Sequence, residues 1–179
     1  GSSWYQRLGD NQQMQLRLTG DQINLDNERL RWQTGLQGEF QQLLTSEERL
    51  FISLGASAKR YPDQHQRDTD QAVLAVGSIH NSNGWQDRFS LLAGIEDARD
   101  SANKRFARRF AGFSASMSWP LASRHTLSAS GIYRFSRYAR HHFLFGERRR
   151  DQETALSAGW DWSLMRRLTL ETQVTYQLA

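Results

Sequence analysis

Along most of this chain the apolar residues fall at every second position. In "QMQLRLTG", Met14, Leu16 and Leu18 alternate with Gln15, Arg17 and Thr19. "LRWQTGLQGEF" sets Leu30, Trp32, Leu36 and Phe40 against Arg31, Gln33, Gln37 and Glu39. "RLFISLGASAK" sets Leu50, Ile52, Leu54, Ala56 and Ala58 against Ser53, Gly55, Ser57 and Lys59. In "DRFSLLAGIED", Phe89, Leu91, Ala93 and Ile95 oppose Arg88, Ser90, Gly94 and Glu96. The same beat runs through "FAGFSASMSW", "TLSASGIYRFS", "ALSAGWDWSL" and "LTLETQVTYQ". Successive side chains of a strand point to opposite sides of the pleat, so period 2 predicts strands with one apolar and one polar face. "QAVLAVGSIH" is apolar at both parities and predicts a strand whose register stays open. These nine segments predict an all-β, antiparallel up-and-down sheet. A tenth strand is expected in "SSWYQRLGD", or else a truncated end, because a bacterial single-chain barrel closes on an even count.

The links alternate in kind. "LTSEE", "NSNG", "LASRH" and "MRR" are tight, whereas "DQINLDNER", "YPDQHQRDTD", "DARDSANKR" and "RYARHHFLFGERRR" are longer and charged. Along a meander this places every long link on one rim, which is how an outer-membrane barrel is built, with short periplasmic turns and larger outer loops. Taking Met165-Arg166-Arg167 as a three-residue loop pairs Leu164 with Leu168, Trp162 with Leu170 and Trp160 with Thr172. It also sets Asp161 opposite Glu171. The same rule at Ala122-Ser123-Arg124 pairs Trp119 with Leu127 and Met117 with Ala129. Both hairpins then keep their apolar residues on one face.

A soluble sandwich alternates too, and the aromatic residues separate the two readings. Trp85, Trp119, Trp160 and Trp162 lie within a few residues of tight turns, and Tyr133, Phe135 and Tyr138 lie toward the opposite ends. Two aromatic girdles flanking a Leu/Ala/Val band are what membrane interfaces select. The other face is rich in Ser, Gly, Thr and Gln, with single charges at Glu39, Arg134, Asp161 and Glu171, as suits a polar lumen. The apolar segments run about 9–12 residues, the length a tilted strand needs to cross a bilayer. The expectation is one transmembrane β-barrel domain over residues 1–179, in contact with outer-membrane lipid and lipopolysaccharide.

Composition agrees with that reading. Mean hydropathy is only −0.72, and no apolar run approaches the roughly 18 residues of a membrane helix. No signal peptide is recognisable in "GSSWYQRLGDNQ". Cysteine is absent, which removes disulfides and thiolate metal sites. The net charge is +4, with arginines scattered at segment ends rather than in a stripe, so no nucleic-acid partner is expected.

From Arg108 onward a further order of features appears. An apolar strand ends in Trp119-Pro120 before a tight turn, and a Leu-Ser strand follows, ending in Arg and Tyr. A loop then carries Phe145-Gly146 ahead of Arg148, Arg149, Arg150 and Asp151, with Glu153 beyond. An alternating strand with two tryptophans, a turn, and a strand opening Leu168-Thr169-Leu170 complete the series. This stretch resembles the C-terminal barrel of the surface lipoprotein assembly modifier family, Slam. The resemblance implies a Gram-negative outer-membrane protein that helps move lipoproteins or small secreted cargo to the cell surface. It covers the last 70 residues or so; family members carry a periplasmic helical-repeat domain that is not visible in this sequence. Their larger barrel, roughly 14-stranded, also exceeds what 179 residues supply at about 20 per strand and link.

Catalytic chemistry finds little footing, and neither a metal nor a cofactor is expected. His141 and His142 are adjacent, so on a strand they would point to opposite faces, and no carboxylate motif accompanies them. Ser123 and His125 at a turn lack a third member for a hydrolase. The Arg148–Arg150 run could meet lipopolysaccharide phosphate or an acidic cargo, or be solvated. Two functions remain open: a translocation barrel of the Slam kind, and a small structural or pore-type barrel without a transport role.

Overall fold

In the computed structural model, ten strands follow one another: β1 (Ser2–Gly9), β2 (Gln12–Leu25), β3 (Glu28–Leu43), β4 (Glu48–Arg60), β5 (Thr69–Ser82), β6 (Trp85–Ala98), β7 (Arg108–Ala122), β8 (His125–His141), β9 (Arg148–Met165) and β10 (Leu168–Leu178). The structure describes residues 1–25, 28–100, 107–141, 148–165 and 168–178, without the side chains of 23–25, 28–30, 66, 140–141, 164–165, 168–171 and 173. Each strand pairs antiparallel with the next, and the spatial order is the sequence order. The segment "SSWYQRLGD" does supply the tenth strand, β1. The expected up-and-down architecture is thus present as one sheet, but β1 and β10 do not pair and the sheet stays open.

Tight turns join β1 to β2, β3 to β4, β5 to β6 and β7 to β8, and only two residues separate β9 from β10; the strand ends on either side of the long links 61–68, 99–107 and 142–147 lie at the other rim. At the β5–β6 turn, Asn83 and Gly84 both take positive φ (49° and 85°), the backbone of a two-residue turn matched to strand twist. The expected loop "DQINLDNER" is mostly strand: β2 and β3 extend to a Leu25–Glu28 pair. Arg148, Arg149, Arg150 and Asp151 likewise stand in β9 rather than in a loop, because β8 and β9 pair out to His141–Arg148. Phe145 and Gly146 lie outside the described residues.

Register follows the expectation in both hairpins, with a difference at each tip. Trp119 pairs with Leu127 and Met117 with Ala129, but Ala122 also pairs with His125, so the turn shortens to Ser123-Arg124 and a bulge at Pro120–Ala122 absorbs the extra residue. Trp162 pairs with Leu170, Trp160 with Thr172 and Asp161 with Glu171, whereas Leu168 pairs with Met165 instead of Leu164 across a bulge. In β5 the neighbours settle the open register. Leu74 pairs with Leu54 and Ala93, and Val76 with Ile52 and Leu91, which puts Val73, Ala75, Gly77 and Ile79 on the polar side.

The burial of the two faces is the reverse of a soluble core. Leu36, Leu54, Leu91 and Leu156 are 51–64% exposed, and Ile52, Val76 and Phe113 are exposed beside them. On the other face Glu39, Ser53, Ser90 and Glu96 are 5–6% exposed and Ser136 is fully covered. The polar face is concave. Glu39 of β3 touches Arg88 of β6, three strand spacings or about 14 Å apart on a flat sheet, farther than these two side chains reach side by side, so the sheet must curl inward between them. Two aromatic rings fill this face where glycines leave room. Phe51 pairs with Gly77 and Phe110 with Gly94, and a Cβ on either glycine would collide with the ring it faces.

Candidate functional site

The inner face holds a continuous chain of charges near the long-link rim. Its centre is Arg108, the first residue of β7, whose Nε donates to Glu96 Oε2 (2.8 Å) on β6 and whose Nη1 donates to Glu153 Oε1 (2.6 Å) on β9. Glu96 also accepts from Lys59 Nζ of β4 (2.9 Å) and from the Thr69 hydroxyl of β5 (2.7 Å). Arg134 Nε of β8 lies 3.3 Å from Glu153 Oε2, within ion-pair distance but without hydrogen-bond alignment. Each strand from β4 to β9 contributes one member, because positions 59, 69, 96, 108, 134 and 153 all have inward parity. Burying a carboxylate this deeply is tolerable only when its oxygens are met by donors, and both oxygens of Glu96 are.

A second cluster sits nearer the tight turns. Arg88 makes a two-pronged contact with Glu39 (Nη2–Oε2 2.5 Å and Nη1–Oε1 3.3 Å). Gln41 donates to Glu39 (2.7 Å) and accepts from Gln13 of β2 (2.5 Å). The Arg88 guanidinium lies 3.8 Å over the Phe51 ring, a cation–π contact that holds the arm across the intervening strands. Arg134 rests similarly on Phe110 at 5.0 Å. These arrangements hold a curled sheet together and make a polar, partly filled interior. Among the described residues no group of three or more His, Asp or Glu is placed to hold a metal; His142 and the His141 side chain lie outside them.

The expected lumen residues Glu39, Arg134 and Asp161 do share the inner face. Glu171 is Asp161's cross-strand partner by backbone register, and its side chain lies outside the described set. Asp161 has no hydrogen bond or ion pair among the described residues. Like charges set directly opposite each other on a sheet repel. Asp161→Asn is therefore expected to raise the unfolding free energy by about 0.5 kcal/mol, measured by denaturant titration; a loss of stability would mean that a cation pairs with Asp161.

Of the expected girdle, Trp85, Trp119, Trp160 and Trp162 share the outer face at the tight-turn rim. His125 stacks on Trp160 and Trp162 with ring centroids 5.7 and 5.6 Å apart, and the two indoles are nearly parallel at 6.2 Å. Tyr133 and Phe135 are also on the outer face, and Tyr133 stacks on Phe113 at 5.5 Å. Tyr138 is a correction. It pairs with Arg108 and so has the opposite parity, pointing inward beneath the Arg149 guanidinium at 4.9 Å. Sequence reasoning missed Arg108 and Glu153 as members of the inner chain. The signal was available in the odd–even count from Phe113 and Tyr133, which puts Arg108 inside and Arg109 outside.

No protein-family model and no curated protein matches the sequence. Among solved structures, the chain is similar to the siderophore receptor PirA from Pseudomonas aeruginosa, at 12% identity and a TM-score of 0.53. The match takes in 98% of this chain and 32% of the receptor, so the chain spans about a third of that protein's length. At this identity the likeness is one of fold, and it places the ten strands in the up-and-down antiparallel β-barrel class.

Proposed function

We propose that the chain is a multi-pass wall of an outer-membrane β-barrel in a Gram-negative cell, with the tight turns in the periplasm and the long links outside. The observation that carries this reading is the inverted burial: a broad outer band of Leu, Ile, Val and Phe is exposed while carboxylates, serines and glutamines are covered. In water such a band, far larger than the apolar patches of soluble monomers, would drive aggregation; in lipid it is the required surface. Within that barrel, the function is assistance in bringing lipoproteins or small secreted cargo to the cell surface. Support for this finer reading is the resemblance of residues 108–176 to the Slam barrel.

Two experiments test the two levels. In liposomes, Trp160 and Trp162 fluorescence is expected to be quenched strongly by headgroup-level quenchers; quenching by aqueous iodide alone would sink the membrane reading. In cells, surface display of a lipoprotein is expected to fall when the chain is deleted. Unchanged display together with stable conductance in planar bilayers would replace the cargo reading by a pore-type barrel.

A further inference from the structure

Odd–even parity divides six of the arginines of β7, β8 and β9 into two sets with different surroundings. Arg108, Arg134 and Arg149 point inward and are matched by Glu96, Glu153 and Asp151. Arg109, Arg137 and Arg150 point outward. Arg137 is the direct register partner of both Arg109 and Arg150, so the three form one row across adjacent strands. All three are exposed, and none has an ion pair or hydrogen bond among the described residues. Directly toward the tight turns lie Ala111 and Phe135, then Phe113 and Tyr133, the start of the apolar band. Beside the row a cavity of about 530 Å³ opens at the rim, lined by Arg108, Arg109, Arg137 and Arg148, with two carboxylates, the inward Glu96 already paired to Arg108 and the outward Asp97.

Three like charges on neighbouring strands repel one another, and more strongly next to lipid than in bulk water. The inner face shows how this sheet relieves such charges when it must, by setting a carboxylate between them. Among the described residues no carboxylate stands in the row, and the exposed Asp97 beside it makes no ion pair with it, so the three guanidinium groups are open to an anion from outside the protein. Guanidinium groups bind phosphate in two-pronged fashion, and the edge of an apolar band is where lipid phosphates reside.

We infer that Arg109, Arg137 and Arg150 form a site for the phosphates of a phosphorylated glycolipid of the outer leaflet. The site rests on the outer-membrane reading above. It accounts for why arginine, rather than an aromatic or a neutral polar residue, occupies this level on three successive strands.

The test uses the full chain folded into phosphatidylcholine vesicles doped with lipid A carrying both phosphates, or with the same lipid A dephosphorylated. Lipid retained on the detergent-extracted protein is counted by native mass spectrometry. The protein is expected to retain phosphorylated over dephosphorylated lipid A, and Arg109→Gln/Arg137→Gln/Arg150→Gln to lower that retention by about tenfold or more. A charge-matched control, Arg17→Gln/Arg49→Gln/Arg124→Gln, is expected to retain it. Equal loss in the control would reduce the effect to net charge and overturn the site. Displacement by millimolar inorganic phosphate would overturn the lipid as ligand. Tryptophan quenching in vesicles without lipid A separates the two levels: insertion without lipid A preference defeats this site alone, and failure to insert defeats the membrane reading with it.

Discussion

Leu54→Arg is expected to destabilise the vesicle-folded protein by about 2–4 kcal/mol, the cost of arginine at the lipid-facing midplane of a barrel. Leu54 lies in the centre of the outer band, flanked in register by Gly38 and Leu74, and is 64% exposed. In a soluble protein an apolar residue so exposed could become arginine with a change within about 0.5 kcal/mol in either direction. The two expectations are far enough apart for urea titration in vesicles to separate them. A neutral result would place Leu54 in water and remove the physical basis of the membrane reading.

Arg108→Gln is expected to cost more, about 3–5 kcal/mol, the usual effect of taking one partner from a buried ion cluster. The substitution leaves Glu96 with Lys59 and Thr69 only, and Glu153 with the poorly aligned Arg134. Adding Glu153→Gln to the variant is expected to recover part of the loss, since it removes the more weakly compensated of the two carboxylates. Both measurements are denaturant titrations, with tryptophan fluorescence reporting the folded state. If Arg108→Gln is nearly silent, water reaches the cluster freely and the inner face is an open aqueous channel. The distinction bears on the pore-type alternative, because a conducting lumen requires the charges lining it to be hydrated.

Much of the barrel wall was legible from local pattern. Strand identity, the tight turns, the one-sided placement of Trp119, Trp160 and Trp162, and the Asp161–Glu171 register all follow from period 2 and loop length. Both are properties of neighbouring residues along the chain. The strand ends were less legible. "RRRDQ" is polar at both parities and "DQINLDNER" carries only Ile23 and Leu25 on one of them, and only pairing with a partner strand shows that they extend the sheet. Tyr138 differs for another reason: its distance from the strand end suits a girdle, but it stands three positions from Phe135 and therefore points to the other face.

The sequence by itself determined an alternating, up-and-down, antiparallel sheet with an apolar and a polar face, since side-chain direction in a strand is fixed by position number alone. Only the tertiary structure decided which charges meet. Glu39 and Arg88 lie 49 positions apart, Arg108 and Glu153 45 apart, and nothing in either segment names the other. Their contacts depend on strand stagger and on how tightly the sheet curls. Those quantities come from the summed pairing of all ten strands, and they likewise set Arg109, Arg137 and Arg150 side by side in one row without an ion-pair partner among the described residues.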